Sequence, residues 1–384
     1  MTKINIKEFK PLVRVLDAVR ASFAKRHTTS AVFVSIEAGH SRWSLAVEGR
    51  GVVYSFDAGA LNPEGTRAAG WLDAGSIGAL KKQSDDFIIT LENGSGAALG
   101  SGRNCAIQSK ILAAEAIDTP AAASTLETVC AFEAESFLEA YKLVAPCIGP
   151  DNGLGCSEVF VDVTPESGVR LVATDGKRLA YATVHGAYVP VAGGAASDLA
   201  LPKWSASLPA DLLGALVKSF RPGDTAQLCA GPGSVEFSTR SVSFVLPTVD
   251  RTFPSYRLFV GRTQSWVLDL DSYNVAKVLK DILDVAKIEY VSLACNAEKS
   301  EILVGYKQVF ADDVVWVPLD GDIRSAGNAD SPNVSSDIKL SPRYLLDALP
   351  ARPGKFTLGW TDASGPLSVT HTPGAEYVFM PFAK

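Results

Sequence analysis

Apolar and polar residues alternate along several short runs of this chain, notably residues 31–36, 42–47 and 241–246, and the period of two predicts strands that bury one face of an antiparallel sheet. Between them the spacing changes. Leu12, Val15, Leu16 and Val19 recur at helical intervals, as do Phe137, Leu138, Tyr141 and Val144, and Val275, Val278, Leu279 and Ile282 behind a cap at Asp271 or Ser272. The chain is therefore an α+β protein.

The elements repeat. Residues 71–80, 208–216 and 340–349 are three similar apolar segments, each leading to a strand (87–91, 225–228 and 355–358), and Gly78, Gly214 and Asp347 fall at matching places with near-equal offsets. Equal spacing of similar segments marks copies of one supersecondary unit. Three units follow, each opening with an amphipathic helix and made of two helices backed by antiparallel sheet. Composition loosens at residues 119–124, a linker, and at 260–264, so the expected domains are 1–124, 125–259 and 260–384. The Gly- and Ala-rich residues 191–198 read as a surface loop, and Asn-Gly-Ser-Gly at 93–96 as a hairpin turn.

Composition narrows the classes. With 384 residues, 47% hydrophobic and 20% charged, the chain has enough apolar material for several cores. Neither a signal-peptide core nor a membrane-length apolar run is evident, so a cytoplasmic location is expected. The six cysteines (Cys105, Cys130, Cys147, Cys156, Cys229, Cys295) are scattered without a C-x-x-C pair and read as buried free thiols. A net charge of −6 does not exclude a nucleic-acid partner, because the sign of the total says nothing about one basic surface.

The richest stretch is residues 171–180, Leu-Val-Ala-Thr-Asp-Gly-Lys-Arg-Leu-Ala. Apolar flanks enclose Thr174-Asp175-Gly176, which supplies turn chemistry, so a hairpin holds Lys177, Arg178 and Leu179 at a sheet edge. An ordinary hairpin with solvated charges is the plain alternative. The decapeptide, however, resembles the middle-domain signature of the bacterial sliding clamp, the β subunit of DNA polymerase III. Phe253-Pro-Ser-Tyr256-Arg257 resembles that family's link between second and third domains, and residues 377–382, Tyr-Val-Phe-Met-Pro-Phe, resemble its closing segment. The chain departs from the family where Lys177 stands in place of a common His and where it ends Phe382-Ala383-Lys384.

The resemblance implies a head-to-tail homodimeric ring of six units around duplex DNA, bound without sequence specificity, with helices lining the hole. Basic residues on or near those helices are then DNA-facing: Lys10, Arg14, Arg20, Lys25, Arg26, Lys81, Lys82, Lys218, Arg221, Lys277 and Lys280. Loosely placed cations suffice to attract phosphates. A partner-peptide cleft is implied at Thr174, Gly176, Lys177, Arg178 and Leu179, near Cys156, and at Pro254, Phe259, Ser341, Tyr344, Ser364, Pro366, Val378, Met380, Pro381 and Phe382. Arg178 is expected to bond a peptide carbonyl or carboxylate there. The implied partners are the DNA polymerase III catalytic subunit, an ATP-driven clamp loader, and repair or ligation proteins with clamp-binding peptides; the place of work is cytoplasmic and nucleoid-associated. The resemblance implies no cofactor, no metal and no catalysis.

Two other classes stay open on the residues. Asp162, Asp175, Asp250 and Asp362 lie near the motifs and could hold Mg²⁺ for phosphoryl transfer, although no two stand at ligand spacing. A scaffold of repeated α+β units that encloses nothing is the other.

Overall fold

The computed structural model describes the backbone of eight strands between residues 2 and 110. From residue 126 to 382 it describes the chain apart from residues 151–154, 191–199, 219, 221, 240–241, 297–298, 308–312 and 327–337. The predicted helix at 12–19, the linker at 119–124, the loop at 191–198, Cys105 and the turn residues 93–96 lie outside the described residues, although the strands flanking that turn, Ile88–Leu91 and Ala97–Ser101, do pair antiparallel.

The chain forms two compact units: residues 1–139, 158–169 and 184–251, and residues 140–157, 170–183 and 252–384. In the first, an eight-stranded sheet runs in the order Ala68–Asp73, Ala31–Glu37, His40–Val47, Arg50–Asp57, Val242–Pro247, Ser234–Ser238, Thr225–Gly231, Glu127–Glu133. Its neighbours are antiparallel throughout, and Val53 opposite Val245 joins early strands to much later ones. Phe132 and Phe137 stack at 4.9 Å, and Phe237 meets Phe137 edge-on at 5.5 Å, forming an aromatic centre.

In the second unit, antiparallel strands run in the order Arg178–Val184, Ala375–Phe379, Leu367–Thr370, Lys355–Trp360, Trp266–Asp271, Gly321–Ala326. A separate sheet has the order Val314–Pro318, Glu301–Lys307, Val291–Asn296, Ile338–Leu340. Trp266–Asp271 buries every second residue, as its Trp-Val-Leu-Asp-Leu-Asp alternation requires. Trp266 and Trp360 stack face to face at 5.8 Å over this core.

Four α-helices are found among the described residues: α1 (Ala134–Val144), α2 (Ala210–Val217), α3 (Ser272–Val285) and α4 (Pro342–Asp347). Asp271 caps α3 by accepting from the Asn274 N–H at 2.8 Å, and Val275, Leu279 and Ile282 give it a buried face. The order strand, helix, strand recurs at Trp204–Pro209, α2, Thr225–Gly231 and at Ile338–Leu340, α4, Lys355–Trp360. One expectation shifts: α1 does not open its unit but follows the strand Glu127–Glu133, just as Trp266–Asp271 leads α3 and the strand ending at Leu208 and Pro209 leads α2. Backbone pairing across the sheet accounts for this, since it satisfies amides that an isolated helix end would leave open.

Candidate functional site

The decapeptide forms the expected hairpin, with strands Gly168–Thr174 and Arg178–Val184. Gly176 sits at φ +88°, a left-handed conformation that favours glycine. The Asp175 carboxylate accepts from the Lys177 and Arg178 N–H groups, both at 2.9 Å, while the Thr174 hydroxyl donates to the Arg178 carbonyl at 2.7 Å. Short polar side chains therefore close the turn. Cys156 lies beside it, its Sγ 3.9 Å from where a Cβ on Gly176 would stand.

The hairpin is not at a sheet edge. Strand Arg178–Val184 pairs on its other side with Ala375–Phe379, Arg178 opposite Phe379 and Leu179 opposite Val378, and the Met380 N–H continues the ladder to the Lys177 carbonyl at 3.1 Å. The C-terminal segment covers the edge because an apolar strand gains most from pairing on both sides.

Arg178 organises what surrounds it. Its Nε donates to Asp175 at 2.8 Å, its Nη1 donates to Asp347 at the end of α4 at 2.5 Å and to the Tyr377 hydroxyl at 2.8 Å, and its guanidinium lies 4.5 Å over the Tyr344 ring. The side chain is only 13% exposed. The expected role toward a bound peptide is then narrowed to Nη2: a cation with so little exposed surface is neutralised from within, and its Nε and Nη1 are spent on the chain itself. Tyr377 is also hydrogen-bonded with Cys147, whose thiol burial pushes up to about 12 against the opposing effect of that bond. Burial likewise raises the Tyr377 and Tyr344 hydroxyls above the ordinary tyrosine value. Cys147, Asp347 and Tyr377 were not singled out as site residues, and Asp175 only as a turn residue and a possible metal ligand. Asp347 served only as a mark of the repeat, and its partner Arg178 lies 169 residues earlier, so no local pattern could pair them.

The other predicted groove residues gather on the same unit. Ser341 caps α4 through the Tyr344 N–H and is buried, and Tyr344 meets Phe379 edge-on at 6.4 Å. Val378 and Leu179 are buried opposite each other, whereas Met380 (45% exposed) and Phe382 present apolar surface, with Pro381 half-buried between them. Asp362 accepts from the Ser364 hydroxyl and from the Ser364 and Gly365 N–H groups, which hold its carboxyl below the usual range. That turn places Pro366 just before Leu367, the residue opposite Phe379. Pro254 and Phe259 are exposed around the 3₁₀ turn Tyr256–Leu258, and the Gly261 N–H nearby is tied to the buried Glu376 of the C-terminal strand at 2.8 Å. Arg178, Tyr344 and the C-terminal strand form one bonded cluster, and the segment carrying Pro254 and Phe259 is tied to that strand through the Gly261–Glu376 bond.

The curated β sliding clamp of Caulobacter vibrioides is 25% identical to this chain over 224 residues, 56% of this chain and 54% of the relative. The chain thus matches about half the length of its curated relatives. The solved Caulobacter crescentus β sliding clamp is similar over 100% of this chain and 98% of its own at TM-score 0.78 and 19% identity. The Pseudomonas aeruginosa DNA polymerase III β subunit covers 100% of both chains at 0.77 and 15%, and that of Thermotoga maritima 100% and 99% at 0.77 and 16%. This is the bacterial β sliding clamp fold. No family model matches the chain.

On the clamp fold, Lys218 at the end of α2 and Lys277 and Lys280 on α3 are exposed. Lys10, Arg14, Arg20, Lys25, Arg26, Lys81, Lys82 and Arg221 lie outside the described residues. Cys130, Cys147, Cys156 and Cys295 are buried free thiols, while Cys229 is half-buried. Of the carboxylates considered for a metal, Asp175 and Asp362 each close their own turn, and among the described residues no three His, Cys, Asp or Glu side chains form a metal-binding group. No helix among the described residues is long and apolar enough to cross a membrane.

Proposed function

We propose that this protein is a DNA sliding clamp: a non-catalytic processivity factor whose two copies close head to tail around duplex DNA and tether the replicative polymerase. The observation that carries the reading is the match of the whole chain to clamp structures at TM-scores of 0.76–0.78. Three units (1–124, 125–259, 260–384) in each copy give a six-unit ring. The helix cations, with Lys218, Lys277 and Lys280 exposed, attract phosphates loosely enough to permit sliding. Enclosure replaces affinity, so the acidic total charge is no obstacle.

Ring closure has a surface suited to it. Strand Val314–Pro318 ends its sheet and exposes Val314, Val315 and Trp316, an apolar edge of the kind that a second chain covers. The groove built from the hairpin, Tyr344, Pro366 and residues 378–382 takes peptides from the polymerase III catalytic subunit, a clamp loader, and repair or ligation proteins in turn. Its exposed Met380 and Phe382 supply anchoring area. The work is placed in the cytoplasm, at the nucleoid.

The test is retention on DNA. Protein loaded on nicked circular plasmid by a clamp loader is isolated, and the plasmid is then linearised at constant salt. Release on linearisation is expected; retention on linear DNA that falls only as salt rises would return the scaffold reading. Replacing Met380 and Phe382 together by Ala is expected to abolish calorimetrically measured peptide binding while the dimer persists, and unchanged peptide affinity would remove the groove assignment.

A further inference from the structure

Beyond strand Ala375–Phe379, the C-terminal segment is fastened to two different elements. The Met380 N–H bonds the Lys177 carbonyl, and the Phe382 N–H bonds the Lys339 carbonyl at 2.8 Å, beside strand Ile338–Leu340. The second bond sets Phe382 beside Tyr290, with ring centroids 5.7 Å apart, and the Lys339 ammonium lies 5.0 Å from the Tyr290 ring. Phe382 and Tyr290 keep 38% and 41% of their surface exposed. Among the described residues, Lys339 has no carboxylate within ion-pair distance.

Two exposed rings and an unpaired cation form a platform of defined chemistry. The rings offer apolar area. A cation already ordered over an aromatic face loses less freedom when an anion joins it, and its charge is free to be used. We propose, resting on the groove reading above, that Tyr290, Lys339 and Phe382 form a selective end of the groove for partner segments carrying an apolar side chain flanked by a carboxylate. The molecule's net charge of −6 repels acids at long range, so such a preference has to come from a local cation, and Lys339 is that cation. The departure at the chain's end acquires a purpose, because Phe382 is half of the aromatic pair. A single-stranded nucleic acid would also stack on the rings, but it needs a track of cations along its backbone and this platform has a single cation, Lys339.

The experiment uses the whole chain and two degenerate pools of labelled ten-residue peptides, each with one pair of large apolar residues. Flanking positions are Asp or Glu in one pool and Asn or Gln in the other, and a dT oligonucleotide serves as competitor. Fluorescence anisotropy is expected to show roughly tenfold tighter binding of the acidic pool at low salt. Lys339→Met brings the ratio of the two affinities near one, and Lys339→Arg restores it. Equal binding of both pools by the unaltered protein, or a ratio unmoved by Lys339→Met, overturns this inference and leaves the groove standing. Binding of neither pool overturns the groove reading together with it. Displacement of bound peptide by the oligonucleotide at comparable concentration overturns the peptide assignment in favour of nucleic acid.

Discussion

Arg178, expected to serve a bound peptide, is also a structural pin. At the tip of a hairpin its charge should face water, yet Asp175, Asp347, Tyr377 and the Tyr344 ring enclose it. Removing one partner of a buried pair strands the others, whereas an exposed partner recovers its loss in solvent. Arg178→Met is therefore expected to cost roughly 2 kcal/mol in urea unfolding. Asp347→Asn, at a carboxylate 46% exposed, should cost less than about 1 kcal/mol. Equal losses would contradict the asymmetry. The turn itself was legible in Thr-Asp-Gly, because Asx bonding and a left-handed glycine are local properties. The pin was not, since it depends on residues from α4 and the C-terminal strand.

At the scale of elements, periodicity and caps were good guides. Val275, Leu279 and Ile282 lie buried on α3, and Asp271 accepts the bond that its place before the apolar run suggested. An N-cap contributes through one otherwise unsatisfied amide, so Asp271→Ala is expected to lower stability by about 1 kcal/mol, read as a fall in Tm, with Asp271→Ser retaining most of it. No change in Tm would mean that the Asn274 amide finds another partner. The hairpin's place within its sheet was misread for an equally physical reason. Alternation tells which face of a strand is buried, but nothing in it states which strands lie to either side. Here the neighbour comes from residues 375–379, almost 200 positions later.

For the whole molecule, the apolar edge of strand Val314–Pro318 carries the expectation of a second copy. Trp316→Glu is predicted to convert a dimer to a monomer in sedimentation velocity while peptide binding persists, and a stable dimer would move the interface elsewhere. The motifs at residues 171–180, 253–257 and 377–382 pointed to the clamp fold, and the full-length structural likeness confirms that fold. Alternation, helical spacing, capping and turn chemistry, all set within a few residues, were determined by the sequence alone. Which strands pair, what neutralises Arg178, and that Phe382 meets Tyr290 over Lys339 were decided only by tertiary structure. These contacts join residues tens to nearly two hundred positions apart, and they form only when burial makes an unpaired charge or an uncovered ring costly.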